Sequence, residues 1–243
     1  MSERERDITA FLNRAGWGDA ARVALAADAS ARFYQRLSGA TGTAVLMNAP
    51  PEGDQRKSPR AAAYNSKAHL AVDCRPFVAI DGYLRRLGLS APEIFAADAG
   101  LGLLLLEDLG DDLFASVLMN GAAEEEELYA AAIDVLLSLH AADVQAHGFA
   151  EYATGALSAE VSLLTEWYAP LVLEGELSGA ALHDYQRIWQ SLFPALLTGP
   201  RVLVLRDFHA QNLFWLPQRS GAARVGLIDF QDGVLGSPAY DLV

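Results

Sequence analysis

Three side chains near the end of the chain have the types and spacing that phosphoryl transfer needs: Asp207 and Asn212 in Asp207-Phe208-His209-Ala210-Gln211-Asn212, and Asp229 in Leu227-Ile228-Asp229-Phe230. Transfer to a hydroxyl requires one carboxylate to take the proton of the attacking oxygen. An amide oxygen and a second carboxylate must hold magnesium against the phosphates of a nucleotide. Asp207 is therefore the candidate base, and Asn212 and Asp229 are the candidate metal ligands. Asp and Asn are also ordinary turn residues that bond their own backbone, so the spacing needs support from the elements around it.

Those elements are legible. Val202-Leu203-Val204-Leu205 and Asn212-Leu213-Phe214-Trp215-Leu216 read as strands on either side of the motif, and Arg224-Val225-Gly226-Leu227-Ile228 as a third. Pro217-Gln218-Arg219-Ser220-Gly221 joins the latter pair as a hairpin. Asp207 then follows one strand, Asn212 begins the next and Asp229 follows the last, so all three can meet on one rim.

Upstream, Val23-Ala24-Leu25, Phe33 to Leu37 and Ala44 to Met47 read as strands, separated by turn chemistry at Asp28-Ala29-Ser30 and Ser38-Gly39-Ala40-Thr41-Gly42. Residues 50–75 lack a sustained period and read as a long surface excursion. Phe77, Ile80, Tyr83, Leu84 and Leu87 recur at helical spacing up to Gly88. Glu93 to Ala96 and Leu103 to Leu106 add two strands. Glu107-Asp108-Leu109-Gly110-Asp111-Asp112 breaks the pattern, and helical sequence follows over Glu124–Leu139, Ser158–Leu173 and Gly179–Leu197. Trp167, Tyr168, Tyr185 and Trp189 on the last two read as core packing, and His140 as a packed or capping histidine. The expected fold class is α+β, with an antiparallel five-stranded lobe over 1–107 and a mainly helical lobe over 108–243.

The 18 basic and 31 acidic residues give a formal net charge of -13, which argues against nucleic acid as a partner. An acidic cleft would favour a cationic substrate, but net charge does not locate a cleft. Cys74 is the sole cysteine, so no intramolecular disulfide forms. No secretory signal opens the sequence, and no apolar run reaches the roughly 20 residues of a membrane span. A soluble, cytoplasmic protein without membrane partners is expected. Lys57 and Lys67 are the only lysines.

From about residue 20 to 243 the chain resembles the aminoglycoside phosphotransferase superfamily, the small-molecule branch of the protein-kinase-like fold. Leu205 to Leu213 is similar to its catalytic loop, Ile228-Asp229-Phe230-Gln231-Asp232 to its magnesium motif, and Gly236 to Leu242 to the segment that follows. Four stretches bring it nearer to the bacterial sugar kinases of cell-wall recycling, which phosphorylate N-acetylmuramate and N-acetylglucosamine at the anomeric hydroxyl. They are Asp28 to Arg36, Ala44 to Pro51, Leu104 to Gly110, and the Asp229-Phe230-Gln231-Asp232 form of the metal motif. The resemblance implies ATP and Mg2+ as cofactors and an amino sugar as the small-molecule substrate. It places Ser30 and Arg32 over the nucleotide phosphates, and makes Glu107 to Leu109 a hinge whose backbone pairs with adenine.

The departures from the family pattern are specific. Met47 or a neighbour stands where the third strand usually carries a lysine, so Lys57, Lys67 or an arginine would have to substitute. Leu205 replaces a catalytic-loop histidine whose part is largely packing. Asp241 is expected to be a structural acceptor for the catalytic loop. The chain ends at Asp241-Leu242-Val243 where the family continues with further helices, so the resemblance implies a truncated C-terminus. An aminoglycoside or a small alcohol such as choline is the alternative acceptor, and a catalytically silent nucleotide-binding module is the alternative from another class.

Overall fold

The computed structural model describes residues 2–25, 32–40, 42–50, 59–144, 147–173 and 175–242. Ser30, most of the Asp28-to-Arg32 turn and Lys57 lie outside the described residues.

Five strands form one antiparallel sheet in the order β1-β2-β3-β5-β4: β1 (Ala21–Ala24), β2 (Phe33–Gly39), β3 (Gly42–Asn48), β4 (Ile94–Asp98) and β5 (Leu103–Glu107). The unbroken Leu103-Leu104-Leu105-Leu106 run follows from burial on both faces of the sheet. Leu103 and Leu105 pack with Leu46 and with Ile8, Phe11 and Leu12 of α1 (Glu3–Arg14). Leu104 and Leu106 pack the other way, in a cluster with Phe77, Ile80 and Leu84 of α3 (Arg75–Arg86). That second cluster continues without a break through Leu128, Val135 and Leu139 to Val225 and Leu227, so the sheet and the strands beside the Asp-Asn-Asp motif rest on common packing.

The reading of residues 50–75 as an excursion without structure needs correction. Pro59–Lys67 is a helix, α2, whose face buries only Asn65, with Ala68 just beyond its end, so no large apolar residue marks its period. Met47 is fully buried in the α3 cluster. On α3 itself Asp81 is 3% exposed and one of its carboxylate oxygens has no hydrogen-bond partner.

Burial pushes the Asp81 carboxyl up to about 7, with Glu107 adding to the effect and Arg85 opposing it. A carboxyl raised in the folded state contributes stability that is complete below its unfolded pKa and is lost as pH rises through the folded value. Asp81→Asn is therefore expected to be more stable than the parent at pH 8, by on the order of 2–4 kcal/mol, and to lose that advantage towards pH 4. Urea denaturation at the two pH values measures it, and an advantage independent of pH would contradict the assignment.

The remaining helices are α4 (Phe114–Met119), α5 (Glu125–Ala141), α6 (Thr154–Leu163), α7 (Ala169–Leu173) and α8 (Gly179–Leu196). A π-helical turn, Leu164–Tyr168, joins α6 to α7. Its wider winding rotates every later side chain relative to a 3.6-residue period. Trp167 and Tyr168 are 48% and 60% exposed rather than packed in the core, on a face where Leu164 and, on α8, Ile188 are exposed too, whereas Tyr185, Trp189 and Phe193 do form a ladder of ring contacts on α8. No helix among the described residues is long and apolar enough to cross a membrane.

Two small antiparallel ribbons carry the motif residues. Strand β6 (Val202–Val204) pairs with β9 (Val234–Gly236), and β7 (Leu213–Trp215) pairs with β8 (Val225–Leu227). At Gly226 a Cβ would meet Phe214 Cβ at 3.0 Å and Leu109 Cδ1 at 3.1 Å, so only glycine lets the segment after β5 lie this close to the β7-β8 ribbon.

Candidate active site

Asp207 follows β6 after only Leu205 and Arg206, in a backbone fixed from several sides. Asp241 accepts the amides of Leu205 (2.7 Å) and Arg206 (2.9 Å), which is the structural part expected of it, and burial pushes its own carboxyl up to about 6. Leu205, in the place of the family histidine, is buried as packing. Asn212 Nδ2 donates to the Asp207 carbonyl at 3.0 Å, and the Ile228 amide donates to the Asn212 carbonyl at 3.2 Å. Leu213 pairs with Leu227, which sets Asn212 and Asp229 at the same end of the β7-β8 ribbon.

The structure thus brings Asp207, Asn212 and Asp229 together, all half-buried. Burial, and then the neighbouring carboxylates Asp229 and Asp232, raise the Asp207 carboxyl above its ordinary value, against the opposing charges of Arg206 and His209. Asp229 is anchored by the ring of Phe230 stacking on Phe77 at 4.7 Å, and its Oδ1 accepts from Gln231 Nε2 at 2.8 Å.

The donor chemistry fits magnesium. Tying Asn212 Nδ2 to a carbonyl leaves the amide oxygen as the group to present, and Asp229 supplies the carboxylate. Gln231 Oε1 is buried without a partner beside Asp229, an oxygen that a cation or its water would satisfy. No cluster of three His, Cys, Asp or Glu exists among the described residues. Magnesium does not need one, since it commonly takes one or two protein oxygens plus phosphates and water.

The sheet side is less uniform. Arg32 reaches Asp229 Oδ1 at 3.6 Å, which brings the end of the β1-β2 turn over the rim. Glu107 donates its amide to Glu93 at 2.7 Å and spends its carboxylate on Arg219 and the Glu93 amide. Leu109, in contrast, has no hydrogen-bonded backbone group among the described residues. Arg36 of β2 forks onto Asp108 (2.9 Å) and binds Asp111 and the Gly110 carbonyl, so it fastens this segment to the sheet.

One part of the site has no sequence signature. Arg206, in a left-handed conformation (φ 71), buries its guanidinium against Glu160 of α6 and over the Tyr152 ring, and donates to the carbonyls of Ala68 (2.7 Å) and Asp232 (3.4 Å). Tyr152 and Tyr240 donate to the same Glu160 carboxylate, whose pKa burial raises. His69, Arg206 and Asp229 are the only residues other than glycine with positive φ among the described residues, and all three border this region. Strain gathered in one place is a common mark of a functional site.

The Phosphotransferase enzyme family is matched over residues 22–243, nearly the whole chain. The chain belongs to that family. A relative from Caulobacter vibrioides, named N-acetylmuramate/N-acetylglucosamine kinase, is 42% identical across 99% of this chain, and one of the same name from Pseudomonas aeruginosa is 34% identical across 93%. This chain spans 70% of the length of the first and 60% of the second. Among solved structures, the GDP complex of wild-type aminoglycoside 2'-phosphotransferase-IIIa superposes with a TM-score of 0.63 at 15% identity, covering 100% of this chain and 77% of that one. The streptomycin-ATP-APH(2")-IIa ternary complex gives a TM-score of 0.59 at 16% identity, covering 99% of this chain and 73% of that one. The fold is therefore that of the aminoglycoside kinases, with the antiparallel sheet and the helical part expected from the sequence.

Proposed function

We propose that this phosphotransferase moves the γ-phosphoryl group of ATP to the anomeric hydroxyl of N-acetylmuramate or N-acetylglucosamine, giving the sugar 1-phosphate and ADP. The observation that carries the reading is the half-buried Asp207 held beside Asn212 and Asp229, and the names of the relatives supply the acceptor. Asp207 accepts the hydroxyl proton as the oxygen attacks phosphorus. Its surroundings raise its proton affinity, and an anomeric hydroxyl gives up its proton more readily than an ordinary alcohol, so donor and acceptor are brought closer in pKa.

Asn212 and Asp229 hold Mg2+, which when bound neutralises charge on the transferred group. Gln231 and the Phe77-Phe230 stack orient the Asp229 carboxylate. Arg32 supplies a cation for the phosphates in the absence of a strand lysine, together with the Ser30 hydroxyl. The segment from Glu107 to Leu109 is the hinge, with the Leu109 backbone as the group left to pair with adenine. Residues 1–107 cover the nucleotide, and 108–243 carry the catalytic loop and metal motif.

Incubation of the protein with ATP, Mg2+ and each of N-acetylmuramate, N-acetylglucosamine, kanamycin and choline tests this. Phosphorus NMR is expected to show sugar 1-phosphate from both sugars. Turnover confined to kanamycin or choline, or no turnover with any acceptor, would refute the assignment.

A further inference from the structure

A cavity of about 690 Å³ lies between α2 with its exit and α6 with the π-helical turn, a size suited to a small molecule. Its links to the loop that carries Asp207 run through Tyr64, whose phenol feels the Asp207 charge, and through the Ala68 carbonyl, which accepts from Arg206. Tyr64, on its wall, has a phenol raised by burial and by Glu160, Asp232 and Asp207. The wall beyond α2 is fastened to the loop by the Ala68 carbonyl on Arg206 and by the Ala71 amide on Asp232. Ser158, Ser162 and Gln186 offer hydroxyl and amide partners, the half-exposed Trp167 indole offers an apolar face, and Glu166 adds a carboxylate on the wall facing α2.

The charge on the α2 wall is Lys67. It lies in the last turn of α2, where the helix dipole favours a cation, and no ion pair engages it among the described residues. Among the described residues none from the five-stranded sheet lines this cavity, so Lys67 stands apart from the strands and from Arg32 beside Asp229. His69, held at φ 57, stands next to it on the same wall. N-acetylmuramate differs from N-acetylglucosamine by a lactyl ether that ends in a carboxylate. In a chain with a formal net charge of -13, an anionic substituent needs a local cation.

We propose that Lys67, with an N–H of His69, binds the carboxylate of the acidic amino sugar and so determines selectivity for N-acetylmuramate over N-acetylglucosamine. This rests on the proposed sugar kinase activity. Lys67 meets a part of the substrate remote from the reacting oxygen and acts by binding, so its effect belongs in KM.

The test compares kcat/KM for the two sugars in the full chain and in Lys67→Met and Lys67→Arg. The ratio for N-acetylmuramate over N-acetylglucosamine is expected to fall about tenfold in Lys67→Met, through KM for N-acetylmuramate, and to survive in Lys67→Arg. The methyl ester of N-acetylmuramate provides the matching change on the substrate: the parent protein discriminates against the ester, and Lys67→Met treats acid and ester alike. An unchanged ratio in Lys67→Met, with the parent active on both sugars, overturns the assignment of Lys67 alone. A parent protein that phosphorylates neither sugar overturns the kinase reading and this inference with it.

Discussion

Asp207→Asn is expected to lower kcat for sugar phosphorylation by about a thousandfold, with little change in KM. The substitution keeps the shape of the side chain, and the bond from Asn212 goes to the Asp207 backbone, so the loop retains its anchor. What disappears is the carboxylate proposed to accept the proton. Structural damage can be separated from chemical loss by the sign of the stability change. The Asp207 carboxyl is raised by burial and by Asp229 and Asp232, so the stability it contributes is present at low pH and lost as pH rises through the folded value. The metal-free Asn variant should therefore be at least as stable as the parent at pH 8. Steady-state kinetics beside urea denaturation would decide the matter: a folded variant of full activity would remove Asp207 from the mechanism.

Arg206→Met carries the second large effect, and it acts first on the fold. The guanidinium is 8% exposed and its partner Glu160 is 19% exposed, so removing the cation strands a carboxylate that is already raised by burial. Breaking one half of such a pair costs about 3–5 kcal/mol. For a chain of this size that is a fall in melting temperature of roughly 10 °C. It also releases the carbonyls of Ala68 and Asp232, and with them the spacing between the α2 wall and the metal loop. Activity should fall further than stability alone explains at a temperature where the variant is folded. Glu160→Gln combined with Arg206→Met should recover part of the lost stability, because an uncompensated charge is then no longer buried. If the double variant is additive, the pair does not act as a unit.

The two effects differ in how they could be found. Asp207 and Asn212 lie in one short loop, and Asp229 is joined to them by a hairpin of ordinary strands. Local spacing therefore carries their geometry. Arg206 precedes Asp207 directly, yet nothing in its neighbours marks a partner on α6 at Glu160. The five strands of the sheet and α3 were legible from alternation, apolar runs and helical period. Helix α2 and strand β9 were not. The helix buries little apolar surface, and the apolar run of β9 is only Val234-Leu235 between two glycines, too short to show a period. The exposed Trp167 departs from the packing expected of it because the face it shares with Leu164 stays half-exposed, and helical spacing shows a stripe but not whether a neighbour covers it.

The amino-acid sequence by itself determined the local separations of the proposed site: two carboxylates and an amide, Asp207, Asn212 and Asp229, at the ends of strands that apolar runs mark. Tertiary structure alone decided where each cation stands. Lys67 and Arg32 are interchangeable as letters, but folding places Lys67 in a cavity walled by α2 and α6 and Arg32 beside Asp229. That choice depends on contacts between segments far apart in the chain, where burial and desolvation set the value of a charge, and neither can be read from spacing.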